Sequence, residues 1–479
     1  MLPPEYLESL PDAVIELIQE MEDAVLSKMA TRIVKYGWTS QDQWEADHLE
    51  AVGVMRSDIA RILSKYTGKT EQAIQQAMAD AGQETINQDK RYYAAAGAWS
   101  DDAIDRAAIN NVINSGLKRT NQTFRNLTGT LAAETAKEFT RAMDSAWLAA
   151  ATGTIDPQTA GRRAIKELCA RGIQVISYPS KHRNHVEVAV RRALVTGINQ
   201  AAMAVQDELL DELDCDLVET TAHAGARPEH ALWQGKVFSR YGKTPGYPTL
   251  AAGTGYGTGA GLGGWNCRHS YHPFFLGYES AYSDDILKEY QRKTCTYNGK
   301  ALTEYEASQQ QRYFERGIRR WKREYTAMDA AGLDTTQAAV KLKQWREKEA
   351  NFLRQTGRRR DSSRSQIGTF GRGEAGKASW AARKFEQFSQ AITGTTASTG
   401  VVVTEVSPHI FARCNERGVS EGDIVNALTT PLRIGKIRAD MSQQFIGETA
   451  TVVLNTETGK AVTVWPTSTN RAQKLKGGS

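Results

Sequence analysis

Cysteine is scarce in this chain. Only five occur in 479 residues, at Cys169, Cys215, Cys267, Cys295 and Cys414, with no CxxC pair. An odd, scattered set excludes a disulfide framework as the source of stability. Long apolar runs are missing as well, and the mean hydropathy of −0.50 belongs to a chain that folds in water, without a membrane segment. Met1–Pro4 leads into acidic residues instead of a basic, apolar leader, so synthesis in the cytoplasm is expected. Histidine is rare, with eight in all. Where it clusters is therefore informative.

Hydrophobic residues make up 40% of the chain, enough for real cores, and the length suggests roughly two to four domains. Net charge is only +5, but Gln311–Arg360 holds 14 Lys and Arg against 6 Asp and Glu, leaving the remainder slightly acidic. A basic helical arm over 283–360 is predicted. Its plain reading is a solvated surface; its sharper one is contact with DNA or an acidic protein, because clustered cations release counterions from phosphate.

The region 1–155 reads as helical throughout. Ser9, with Asp12 three positions later, predicts a capping box, and Val14, Leu17, Ile18, Met21 and Val25 fall on one face. Further helices are expected over Gln41–Tyr66, Glu71–Gln88, Ser100–Ser115 and Leu131–Ala151, punctuated by Gly68, Gly97, Gly129 and Gly153. A helix over Asp156–Ala170, a short strand over Gly172–Pro179 and a long helix over Val186–Leu213, with Val188, Val195 and Ile198 inward, open the segment 156–282. Asn298-Gly299 marks a turn, and Leu302, Tyr305, Tyr313, Phe314, Ile318, Trp321 and Tyr325 form a helical stripe. Arg358–Gln366 reads as a basic, Ser-rich linker, so 361–394 is taken as linker and helix.

Thr221–Tyr278 differs from its surroundings. It holds four of the eight histidines, His223, His230, His269 and His272, with Cys267, and is rich in Gly, Pro and aromatics. A compact, irregular α+β knot of turns and short strands is expected. Three chemical readings compete. His223, His230, Cys267, His269 and His272 are donors that zinc prefers, but their spacings match no standard zinc pattern. Gly259–Gly264 fits GxGxxG, yet no strand precedes it and no helix follows, so a nucleotide loop is excluded. The third reading is structural: Arg227, Glu229, Arg268 and the histidines lock the module by hydrogen bonds around Trp233, Phe238 and Trp265. The structural reading is adopted, with no cofactor.

The stretch HAGARPEHALWQGKVF, followed by a Gly-rich segment and NCRHSYHPFFLG, resembles the signature of the tailed-phage minor capsid protein 2 family. RGIQVISYPS and the helix containing AVRRALVTGINQ extend the likeness, which runs from about the N-terminus to the mid-300s. His223, Arg227, His230, Asn266, Cys267, Arg268 and His269 carry the motif. The resemblance implies a low-copy head protein of the virion, made in the host cytoplasm during assembly, with portal and capsid proteins as partners.

The tail, 395–479, changes character. A strand over Val401–Val406, helices over Ser407–Gly418 and Ser420–Leu428, and strands over Ile434–Arg438, Thr449–Asn455 and Ala461–Trp465 predict a small α+β domain. HIFARCNERGVSEGDIVNAL and TATVVLNTETGKAVTVWPT resemble the phage-borne barnase/EndoU/colicin/RelE-like (BECR) ribonuclease modules. By position, His409, Arg413 and Arg417 match that superfamily's helical set, and Thr463 and Thr467 its strand set. Lys436 and Arg438 would add RNA contacts, with tRNA among the candidate targets. The chemistry is coherent: histidine can take the 2′-hydroxyl proton, and arginine can grip the phosphate. His409 is the tail's one histidine, so a two-histidine mechanism is excluded and Arg417 or Lys436 would complete the site. On residues alone a His–x3–Arg pair is an ordinary helix surface; the enzyme reading rests on the resemblance. The alternative is a non-catalytic RNA- or protein-binding module. An ADP-ribosyltransferase reading fails, since no Glu-x-Glu follows Ser468-Thr469.

Overall fold

The computed structural model describes residues 2–35, 41–97, 99, 106–152, 155–177 and 182–477. The chain is mostly helical with small sheets, and it divides into two compact units: Met1–Arg320 with Lys348–Thr369, and Trp321–Glu347 with Phe370–Ser479.

The first unit opens with α1 (Pro4–Ser9) and α2 (Asp12–Lys35). Ser9 does not cap the long helix as expected. Pro4 at the first helical position starts α1 early, and the Ser9 hydroxyl donates to the Tyr6 carbonyl at 3.0 Å. Val14, Ile18, Met21 and Val25 are buried as expected, and Glu22 turns inward with them to accept the Ile173 N–H at 2.8 Å. Next come α3 (Gln41–Ala95), α4 (Arg106–Ala151), α5 (Pro157–Arg171), the hairpin β1 (Gln174–Ser177) and β2 (His182–His185), and α6 (Val186–Glu212).

Gly68 and Gly129 were expected to break helices but lie inside α3 and α4, which run unbroken for 55 and 46 residues. Neither is crowded, so each costs only about 1 kcal/mol of intrinsic propensity, which long helices tolerate. Other helical glycines mark close approach. A Cβ on Gly116 would stand 2.7 Å from that of Ala201, and one on Gly197 would collide with Thr120, both where α4 crosses α6. Gly153 and the Ser100–Asp105 part of an expected helix lie outside the described residues. On α6, Val195 and Ile198 are buried, but Val188 is 45% exposed, contrary to expectation.

β3 (Leu217–Thr220) is the centre of a three-stranded antiparallel sheet between β4 (Val237–Ser239) and β5 (Tyr271–Pro273); the short helix α7 (Leu250–Thr254) lies in the β4–β5 connection. Val218, Phe238 and Tyr271 from the sheet join Leu209, Trp233 and Leu262 in one core. Trp265, expected in that core, is 64% exposed. Then follow α8 (Asp284–Gln291) and the hairpin β6 (Lys293–Tyr297) and β7 (Lys300–Thr303). Its turn places Asn298 and Gly299 at φ of 48° and 78°, as the Asn-Gly pair requires.

The basic stretch is a solvated face only in part: Arg316, Lys348, Arg354, Arg359 and Arg360 are exposed, and other cations turn inward. Along α9 (Glu304–Ala330), Arg319, Lys322 and Arg323 are buried, and Arg319 pairs with Glu187 at 3.2 Å. After α10 (Thr336–Thr356), Arg358 bonds Glu304, Arg360 meets Glu349 at 3.0 Å, and Arg364 of α11 (Ser362–Ser365) reaches Glu8. Acids outside the stretch, Glu187 and Glu304 among them, pair with part of the surplus that composition displays.

The second unit carries α12 (Arg372–Ile392), β8 (Glu405–Val406), α13 (Pro408–Arg417), α14 (Glu421–Thr429), β9 (Arg433–Ile434), β10 (Ser442–Ile446), β11 (Ala450–Asn455), β12 (Lys460–Pro466) and α15 (Thr469–Lys476). It is a small α+β domain with sheet order β8-β12-β11-β10-β9; β8 lies parallel to β12 and the other pairs are antiparallel. The strand expected over Ile434–Arg438 stops at Ile434, and β10, built from Ser-Gln-Gln-Phe-Ile, was not foreseen. α13 packs on β12, and Phe385 and Phe388 of α12 meet Phe411 edge-on at 6.1 and 5.1 Å.

Candidate functional site

The seven motif residues of the knot line one cavity of about 230 Å³, together with Tyr305, Ser308, Gln309 and Arg312. Two chain segments bring them together. Arg227–Leu232 makes a tight turn: the N–H groups of His230 and Ala231 both donate to the Arg227 carbonyl at 2.9 Å. The second segment, Trp265–His269, leads into β5. It is held by α6, where the Asn199 amide donates to the carbonyls of Cys267 at 3.1 Å and His269 at 2.9 Å, and Thr196 accepts the Asn266 N–H at 2.9 Å. Asn266 takes φ +53°, a left-handed turn that asparagine tolerates.

The glycine run serves this segment, not a phosphate. Leu262 N–H bonds the Thr254 carbonyl at 3.1 Å and Trp265 N–H the Gly259 carbonyl at 2.7 Å, so its backbone groups are consumed internally. A Cβ on Gly261 would strike the Gly255 carbonyl, and one on Gly264 the Gly259 carbonyl. Glycine is there because backbone crosses backbone.

His230, Cys267 and His269 converge, all three buried. His230 Nδ1 lies 3.4 Å from His269 Nδ1, and Cys267 Sγ stands 3.7 Å from each. Beyond them, His230 Nε2 donates to the Ala260 carbonyl at 3.0 Å and His269 Nε2 to Gln234 Oε1 at 3.1 Å. His223 stacks on His269 with ring centroids 4.5 Å apart, and its Nε2 is buried without a hydrogen-bond partner. Arg227 donates to the Trp265 carbonyl. His272 is separate: its ring stacks on Tyr92 at 4.4 Å, with Nε2 3.3 Å from Glu219.

Burial sets the charge states. It pushes His223 down to about 4, with the Arg268 cation adding to the effect. It holds His230 below its ordinary value and His269 well below, the latter also opposed by the neighbouring imidazoles. The same burial raises the Cys267 thiol. Positive charge gathers on the cavity wall. Burial opposes the charge of Glu8, but Arg268, Arg364, Arg312 and Arg191 outweigh it and keep the carboxyl low. Arg312 is itself brought down to about 10 by burial and by Arg364.

Sequence reasoning missed Gln234 and Asn199. Gln234 lies 35 residues from His269 and Asn199 70 residues from the same histidine, so neither left a local signal.

The tail residues form a looser set. On α13, Arg413 Nε lies 3.4 Å from His409 Nε2 and also pairs with Glu416 at 3.3 Å. The Ser407 hydroxyl donates to the Val462 carbonyl at 2.9 Å and Arg417 approaches the Val464 carbonyl at 3.5 Å, so α13 spans β12 on either side of Thr463. His409 is exposed and Thr463 half-buried. Thr467 falls just past β12, buried, with its hydroxyl 2.9 Å from that of Thr451. Lys436 and Arg438 are exposed in the loop after β9, at the sheet edge opposite β8.

Comparison with known proteins then places the chain in a family. The model of the phage minor capsid protein 2 family matches residues 2–354. The chain belongs to that family. Among curated relatives, a structural protein of Lactococcus phage LL-H is 29% identical over 191 residues, 39% of this chain and 48% of that protein. A structural protein of Lactococcus phage mv4 is 35% identical over 94 residues, 20% of this chain and 68% of that one. The chain thus spans about half the length of the first relative. No solved structure matches. Among the described residues no helix is long and apolar enough to cross a membrane.

Proposed function

We propose that this minor capsid protein is a head component of the virion that docks against portal and capsid proteins through its first unit, and that its tail cleaves RNA without a metal. The family match over 2–354 supports the head reading, and both relatives are named structural proteins. For the tail the carrying observation is the juxtaposition of His409, Arg413 and Arg417 on α13 over the β12 segment that bears Thr463. In this reading His409 takes the proton from a ribose 2′-hydroxyl. The freed oxygen attacks phosphorus, the bond from phosphorus to the 5′ oxygen breaks, that oxygen takes a proton from solvent water, and a 2′,3′-cyclic phosphate results, while His409 returns its proton to solvent. Arg413 and Arg417 offset the charge that builds on the phosphate oxygens. Thr463 positions the phosphate.

The full chain and its His409→Ala variant, incubated with total RNA and with tRNA in excess chelator, test the tail. Cleavage by the parent alone supports the ribonuclease. No cleavage by either moves the tail to a binding module, a reading favoured by the Thr467 hydroxyl being already committed to Thr451.

A further inference from the structure

We propose that His230, Cys267 and His269 hold a zinc ion in the knot, with its fourth coordination position facing the arginine-lined cavity. Distances carry the argument. Tetrahedral zinc, with bonds of about 2.0–2.1 Å to nitrogen and 2.3 Å to sulfur, sets its donors roughly 3.4 Å apart for two nitrogens and roughly 3.6 Å for nitrogen and sulfur. The three donor atoms here stand 3.4, 3.7 and 3.7 Å apart.

The tautomers agree. Gln234 Oε1 accepts the His223 backbone N–H at 3.1 Å, which identifies that atom as oxygen and therefore as an acceptor for His269 Nε2 as well. The Ala260 carbonyl fixes His230 in the same way. Each ring then carries its proton on Nε2 and directs the Nδ1 lone pair at the other, with the Cys267 sulfur beside them. Two imidazole lone pairs facing each other in a buried space repel; a cation between them reverses the sign. Carbonyl groups bonded to the far nitrogens of metal-bound histidines are the usual means of orienting the rings. A purely structural Nδ1–H···Nδ1 bond would need one ring to give up its Nε2 proton. The carbonyl it now bonds would be left without that donor, in exchange for a contact longer than ordinary N–H hydrogen bonds.

Zinc is the metal because a thiolate with two imidazoles in tetrahedral disposition is a borderline-soft set. Three protein ligands leave one position for solvent, and His223, whose buried Nε2 lacks a partner, lines the same cavity beside it. The ligands sit on restrained backbone: Asn199 grips the carbonyls of both Cys267 and His269, so the triangle does not depend on the metal for its position.

The test uses the full chain, purified without chelator and assayed for metal by mass spectrometry. A second sample is stripped and reloaded with Co²⁺. About one zinc per chain is expected, and the cobalt form should show thiolate charge-transfer absorption with the intense visible bands of tetrahedral Co²⁺. Cys267→Ser should remove the charge-transfer band, while Cys295→Ser, a cysteine outside the cluster, should leave it unchanged. If Cys267→Ser does not fold, the parent's cobalt spectrum serves instead. Folded parent that takes up no stoichiometric zinc or cobalt, or a Cys267→Ser protein that keeps the parent spectrum, overturns the proposal.

Discussion

The knot in the first unit and the α13 face in the second both present histidine beside arginine, and they are built in opposite ways. His230, Cys267 and His269 are buried, both imidazoles anchored through their far nitrogens, with backbone crossings that only glycine permits. His409 is exposed, with the Arg413 guanidinium at 3.4 Å, on a helix surface open to solvent. The first arrangement fixes donor atoms at metal-binding separations before any ligand arrives. The second leaves room for a polymer to approach and has little to lose in stability when altered. On the two proposals made above, chemistry that needs geometry is housed in a core, and chemistry that needs access is set on a surface.

Substitutions should separate the two sharply. Gly261→Ala drives a Cβ into the Gly255 carbonyl and should destabilise the first unit by about 3 kcal/mol or more, read as a lower urea midpoint for that unit. Acid should act on the same region. His223 has its folded value held at about 4, below the ordinary 6.5, so the unfolded chain binds protons first. Stability is fully present above about pH 6.5 and falls as pH drops towards 4. The loss is on the order of 3 kcal/mol in metal-stripped protein, followed by unfolding at stepped pH. A first unit whose stability is flat over that window would break the contrast.

His409→Ala should lower RNA cleavage by about 10²-fold or more. It should shift unfolding by no more than about 0.5 kcal/mol, as expected of an exposed side chain. Equal loss of activity and stability would mean that His409 is structural. The smallest effect belongs to Thr467→Val. Breaking the pair with Thr451 should cost about 1 kcal/mol of stability in the second unit while leaving cleavage nearly unchanged. A large activity loss there would return Thr467 to the site.

The sequence was legible where periodicity and turn chemistry are local. The Asn298-Gly299 hairpin and Gly418 closing α13 in a left-handed conformation both follow from a few adjacent residues. The irregular, histidine-rich knot could also be outlined from composition. What could not be read is which of its five donors meet. His230 lies 37 and 39 residues from Cys267 and His269, and sheet pairing together with Asn199 closes that distance, so no spacing rule applies. His272 looked equivalent to His269, yet residues three apart near a strand can diverge, and it turns toward Glu219. Glycine misled in α3 and α4 because its propensity penalty is small beside the packing of long helices. The strand β10 stayed hidden because Gln443 and Gln444 interrupt its apolar pattern. Arg319, Lys322 and Arg323 looked like a solvated basic face, since charge counting cannot see burial.

The most direct test of the account is quantitative peptide mapping of purified particles. The account predicts peptides from both 2–354 and 395–479 in every preparation, in constant ratio to the portal protein and far below the major capsid protein. A chain abundant in the lysate but absent from particles would contradict it.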